Sequence, residues 1–145
     1  VGRIVATPVL ELVEYEQTEH ELQLDCTKML ERILLEDVQW TAIDHAHSLD
    51  RRLTKNGVPI GLIEMKKRKG RGIKAGITDY LFWHRSLGFA IEMKRNASER
   101  LSDDQKIFCK GLLKAGIPVK VCWTIWQVDE HVTEWGLTRP HTVMA

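Results

Sequence analysis

The stretch from Gly76 to Arg95, GITDYLFWHRSLGFAIEMKR, limits what this chain can fold into more than any other part of it. Two runs rich in aromatic and β-branched residues flank a short Gly-containing connection, RSLG, which is the pattern of a β-hairpin. A turn at Ser86 and Leu87 sets Asp79 opposite Lys94 and Leu81 opposite Glu92. Because side chains alternate with period two, Asp79, Glu92 and Lys94 then share one face, and a one-residue slip would send Asp79 to the other. Opposed β-carbons lie about 5 Å apart and diagonal ones about 7 to 8 Å, near enough for two carboxylates to converge on one cation.

The elements around the hairpin follow from capping and periodicity. Residues 1–17 stay unassigned, since Pro8 weakens the alternation in RIVATPVLELVEY. Thr18 with Glu21 fits a capping box, and Leu22, Cys26, Met29, Leu30 and Ile33 recur at helical spacing, which predicts a helix to about Leu35. VQWTAID reads as a strand with Val38, Trp40 and Ala42 on one side. VPIGLIEMKKRKGRG admits two readings. Pro59 suits a first helical position and favours a short helix, whereas Gly61 and the brevity of the apolar run also suit a strand.

After the hairpin, Ser102 with Gln105 opens a helix carrying Phe108 and Leu112 and ending at Gly116. IPVKVCWT is a strand with Val119, Val121 and Trp123 on one face, and Thr124 with Gln127 caps a last helix bearing Ile125, Val128, Val132 and Trp135. This order, helix, strand, helix, hairpin, helix, strand, helix, predicts an α/β fold in which helices flank a mixed sheet. At 145 residues and 43% hydrophobic content the chain suits one core, so residues 18–145 are expected to form a single domain.

Cys26, Cys109 and Cys122 are odd in number, widely spaced and set among apolar neighbours, which reads as reduced core thiols rather than a disulfide framework. No apolar run approaches the roughly 18 residues of a membrane span, and no leader pattern opens the chain. The expectation is an intracellular, soluble protein with no membrane partner, in a bacterial or host-cell cytoplasm.

A hard divalent ion such as Mg²⁺ prefers one or two carboxylates, waters and substrate phosphate oxygens. Phosphodiester hydrolysis needs charge neutralisation, an activated water and a stabilised leaving oxygen, all of which a carboxylate-held metal assists. Lys94 can orient the water and balance developing negative charge. The plain alternative is a set of solvated or ion-paired surface groups. The tetrapeptide IEMK occurs twice, but only the copy at Ile91–Lys94 faces a partner strand that begins with an aspartate. Glu64 and Lys66 in the other copy read as surface residues.

KAGITDYLFW, thirteen residues from Asp79 to Glu92 in FAIEMK, LSDDQ at Leu101–Gln105, and TEHELQ at the opening helix together resemble the VRR-NUC branch of the PD-(D/E)XK nucleases over roughly Thr18 to Leu137. The resemblance implies a restriction-endonuclease-like mixed sheet flanked by helices. It implies an active site in which Asp79 and Glu92 bind metal, the Met93 carbonyl adds a ligand and Lys94 is the catalytic lysine. Glu19 resembles the acidic residue of the first helix that completes the metal site, with Glu21 the competitor already occupied in its capping box. Gln105 is similar to the family's glutamine after LS, and a simple cap to Ser102 is the other reading. Thr78 stands where the family has proline; both favour an extended backbone.

KKRKGRGIK places six basic side chains in nine positions on a chain of net charge +1. Lys66, Lys67, Arg68, Lys69, Arg71 and Lys74 can track phosphates, or they form a solvated charge run. His45 and His47 lack a nearby third ligand and read as non-ligating. Trp40, Trp83, Trp123, Trp126 and Trp135 read as core. The expected function is a Mg²⁺- or Mn²⁺-dependent, structure-selective endodeoxyribonuclease acting on Holliday junctions or other branched DNA, as a homodimer with two active sites. A DNA-binding or assembly module that keeps the fold without cutting is the alternative.

Overall fold

The computed structural model describes residues 17–44 and 51–142. Its elements are α1 (Glu19–Ile33), β1 (Gln39–Ala42), α2 (Ile60–Gly70), β2 (Tyr80–His84), β3 (Leu87–Met93), α3 (Asp103–Lys114), β4 (Val119–Cys122) and α4 (Ile125–Glu134). The order agrees with the sequence pattern, and VPIGLIEMKKRKG resolves as helix α2. Pro59 stands at its N-cap, one position earlier than expected, with no side-chain cap bond. Capping boxes at Thr18, Ser102 and Thr124 are all formed, each satisfying backbone N–H groups that a helix start leaves orphaned.

The four strands lie in the order β1-β2-β3-β4. The first two contacts are antiparallel and β3 pairs parallel with β4, the arrangement for which α3 provides the crossover. The sheet is therefore mixed, with helices against it. One sheet face carries Tyr80, Phe82, Phe89, Ile91 and Met93 into a core with Leu22, Cys26, Leu30 and Ile33 of α1 and Val128 and Val132 of α4. Full burial of each large apolar side chain contributes roughly 1.5–3 kcal/mol. The Tyr80 hydroxyl is satisfied by donating to the Gln23 carbonyl, and it also pairs with the Thr27 hydroxyl.

β3 is buried on both faces, so its alternate residues Ala90 and Glu92, with Lys94 just beyond, are covered too. That makes the polar face of this strand an interior surface. The three cysteines are free and buried. Trp40 and Trp135 pack on the core, but Trp83, Trp123 and Trp126 are 46%, 38% and 42% exposed, which corrects the reading of all five as core. Trp83 alternates away from Phe82, and Trp126 lies off the Val128–Val132 stripe of α4. Among the described residues no helix is long and apolar enough to cross a membrane. His45, His47 and residues 1–16 lie outside the described residues.

Candidate active site

The hairpin turn is Arg85–Ser86, not Ser86–Leu87, and both residues take positive φ, 49° and 66°. Two-residue turns of this hand match the twist of the paired strands. His84 therefore pairs with Leu87, Leu81 with Ala90, and Tyr80 with Ile91. Asp79, one step past the last pair, stands level with Glu92, and the expected Asp79–Lys94 and Leu81–Glu92 pairs do not form. The correction moves the register by two residues, so the parity survives. Asp79 and Glu92 still face the same way, as directly opposed neighbours.

The resulting cluster is dense. Asp79, Glu92 and Lys94 are 5%, 2% and 6% exposed. Met93 donates its backbone N–H to Asp79 Oδ2 at 2.7 Å. In an extended strand the carbonyl of a residue points to the same edge as its N–H, which directs the Met93 carbonyl towards Asp79. Lys94 is tied to the neighbouring strand by its N–H to the Cys122 carbonyl, 2.7 Å.

Gln105 occupies both roles left open by the sequence. Its Nε2 donates to Glu92 Oε1 at 2.6 Å, and its Oε1 accepts from Lys94 Nζ at 2.9 Å and from the Ser102 N–H at 2.9 Å. The capping box thus holds the side chain that bridges acid and base. Gly76 (φ +76°) brings the loop before Asp79 against the same helix start: a Cβ there would lie 2.3 Å from the Asp104 carbonyl carbon and 2.5 Å from the Gln105 nitrogen. Only a residue without a side chain permits that approach.

The electrostatics are dominated by the two carboxyls. Burial, and then the adjacent Asp79, push the Glu92 carboxyl up to about 8, with Lys94 opposing the shift and Glu19 adding to it. Lys94 Nζ is 3.7 Å from Glu92 Oε1 and 4.0 Å from Glu99 Oε1. Among the described residues no donor reaches the other Glu92 oxygen, Oε2, which is buried. Its carboxyl neighbour Asp79 offers only acceptors when ionised, so it repels the Glu92 charge instead of satisfying this oxygen. Burial, and then Glu92, raise the thiol pKa of Cys109, one turn after Gln105, with Lys94 opposing.

Of the other expected site residues, Glu19 is exposed in the first turn of α1. It lines a hollow of ≈ 260 Å³ with Thr18, Arg95 and Glu99, and its charge is felt at Glu92. Among the described residues, no three His, Cys, Asp or Glu side chains gather into a ready metal cluster. Lys66, Lys67, Arg68 and Lys69 lie at the end of α2, with Arg71 as its C-cap and Lys74 in the loop leading to Asp79; all are exposed except Arg68, which is half-buried. Glu99 was not singled out by sequence. Its oxygen accepts the Arg95 N–H at 2.9 Å, and Asn96 accepts from the N–H groups of Ser98 and Glu99, a local turn that RNASER announces. Comparison with protein-family models, curated proteins and solved structures returned no match for this chain.

Proposed function

We propose that this chain is a divalent-metal-dependent endodeoxyribonuclease of the restriction-endonuclease-like, VRR-NUC type. The observation that carries the reading is the buried Asp79–Glu92 pair, with an orphaned Glu92 oxygen, held against Lys94 by Gln105. Two carboxylates and one main-chain carbonyl suit Mg²⁺ or Mn²⁺, which keep several positions for water and phosphate rather than demanding an all-protein cage. Asp79, Glu92 and the Met93 carbonyl would hold the ion, with Glu19 acting through water from the rim. When bound, the ion supplies neutralisation of the phosphate and a more acidic water.

The chain's own groups divide the remaining work. Of the three donors on Lys94, one goes to Gln105, which fixes the ammonium while leaving others to orient a water and to meet negative charge on the phosphate. Gln105 bonds both groups and so fixes their relative position, with Lys94 Nζ 3.7 Å from Glu92 Oε1. Asp79 is oriented by the Met93 N–H. The basic residues of α2 and its following loop grip duplex phosphates, and a homodimer would present two such sites to a branched substrate.

The test is cleavage of four-way, flap, splayed and plain duplex DNAs with Mg²⁺, Mn²⁺ or chelator, together with calorimetric metal titration. Wild type should cut only with metal, and Asp79→Ala should lose both cutting and metal binding. Metal binding without cleavage of any of these DNAs would instead support a non-cutting module.

A further inference from the structure

Beside the site, between the Lys69–Ala75 segment and α3, lies a cleft of ≈ 580 Å³ that runs into a second hollow of ≈ 480 Å³; the two share Lys69, Ile73, Lys74, Ala75 and Phe108. We infer that this cleft receives an unpaired nucleotide of the substrate strand, its phosphates against Lys69 and Lys74 and its base against Ile73, Ile107, Phe108 and Leu112. The inference rests on the nuclease reading and gives it a substrate class: DNA carrying unstacked bases.

Three observations meet here. Ile73 is 42% exposed and Ile107 69%, facing a concave surface rather than scattered singly. A cleft of this size, with apolar walls and few polar groups, has the form of a small-ligand pocket. Its rim is basic through Lys69 and Lys74, and among the described residues the acidic groups lining the two hollows are Asp104 in the larger and Asp44 in the smaller. A polyanion with apolar faces fits that pattern better than an apolar helix does.

The cleft is also coupled to the chemistry. Its floor continues from Ala75 into Gly76, which presses on the backbone of Asp104 and Gln105, and Gln105 holds Glu92 and Lys94. Asp79 follows Gly76 by three residues, so cleft and carboxylates are within about 10 Å along the chain. Stacked bases of an intact duplex cannot cover the apolar walls, whereas a splayed base can. Recognition of a branch or single strand therefore has a physical cause in these side chains.

The experiment uses cleavage-blocked Glu92→Gln protein, so binding is read without activity. Fluorescence anisotropy compares an unpaired oligothymidylate with a blunt duplex for Ile73→Ser, Ile107→Ser and, as a control on the hairpin tip, Leu87→Ser; all three positions are exposed, and thermal melts verify folding. The cleft variants should bind the unpaired strand roughly tenfold more weakly, with duplex affinity changed less than about twofold and the control unaffected. Equal losses on both DNAs, or none, would overturn the inference. So would sedimentation showing a wild-type dimer that Ile107→Ser makes monomeric with DNA preference unchanged, which would make the cleft a subunit interface. Cleavage by wild type is scored separately: strand preference without metal-dependent cutting sinks the nuclease reading and leaves the cleft standing.

Discussion

Glu92 shows how much a single residue's chemistry depends on what faces it. The same tetrapeptide at Ile63–Lys66 leaves Glu64 exposed, while at Ile91–Lys94 it places Glu92 at 2% exposure opposite a second carboxyl. Glu92→Gln is expected to lower cleavage by at least about 10³-fold, and Glu64→Gln to leave it within about twofold, in metal-saturated turnover assays. The pH dependence follows from the raised pKa. A carboxyl at about 8 in the folded chain and 4.5 ordinarily favours the protonated form on folding, so its contribution is complete below about 4.5 and is lost as pH rises through 8. The melting temperature of metal-free protein should fall across that window, and Glu92→Gln should flatten the fall. Metal affinity should move the opposite way, rising about tenfold per pH unit as one proton is displaced, which calorimetry at several pH values measures. If melting is as pH-dependent in Glu92→Gln as in wild type, the buried-acid account is wrong.

At the scale of elements, what was legible in the sequence was what local chemistry announces. All three capping boxes carry their Ser or Thr and their acidic or amide partner three residues on, and all three helices start there. The hairpin was legible but its turn was not. Arg85 and Ser86 adopt positive φ without the Asn or Gly that usually marks it, while Gly88, which drew the turn towards itself, lies within β3 where a Cβ would meet Ile117 Cδ1 at 3.0 Å. Its glycine serves a close approach, not a turn. Ser86→Gly should accordingly relieve left-handed strain and stabilise the protein by about 0.5–1 kcal/mol in urea unfolding. Gly76→Ala should do the reverse: the clash is with backbone, so the start of α3 must shift and take Gln105 with it. Stability should drop by about 2 kcal/mol or more and cleavage should fall beyond what the stability loss explains, measured on protein still folded at the assay temperature. Full activity in that variant would mean that the loop and α3 move independently of the Lys94–Gln105–Glu92 bridge.

The whole molecule adds what no local pattern contains, namely which surfaces face one another. The face shared by Asp79 and Glu92 was readable from alternation, but the arrival of α3 upon it, with Gln105 between acid and lysine, depends on the β3–α3–β4 crossover. Exposure of Trp83, Trp123 and Trp126 was likewise hidden, because helical and strand periods identify an apolar stripe without saying where the packed layer ends. Charge placement behaves in the same way. Lys67, Arg68 and Lys69 sit in the last turn of α2, where cations favour the helix dipole whatever else they do. A phosphate role makes a different demand, since each contact displaces counterions and adds about 0.7–0.9 to the slope of log affinity against log salt. Replacing Lys67, Lys69 and Lys74 by Gln should therefore weaken duplex binding and reduce that slope by about 2 to 3, leaving the melting temperature within a few degrees because all three are exposed. Anisotropy titrations over a range of salt concentrations read the slope directly. An unchanged slope with lowered helix stability would assign these lysines to the end of α2 and move the DNA path elsewhere on the molecule.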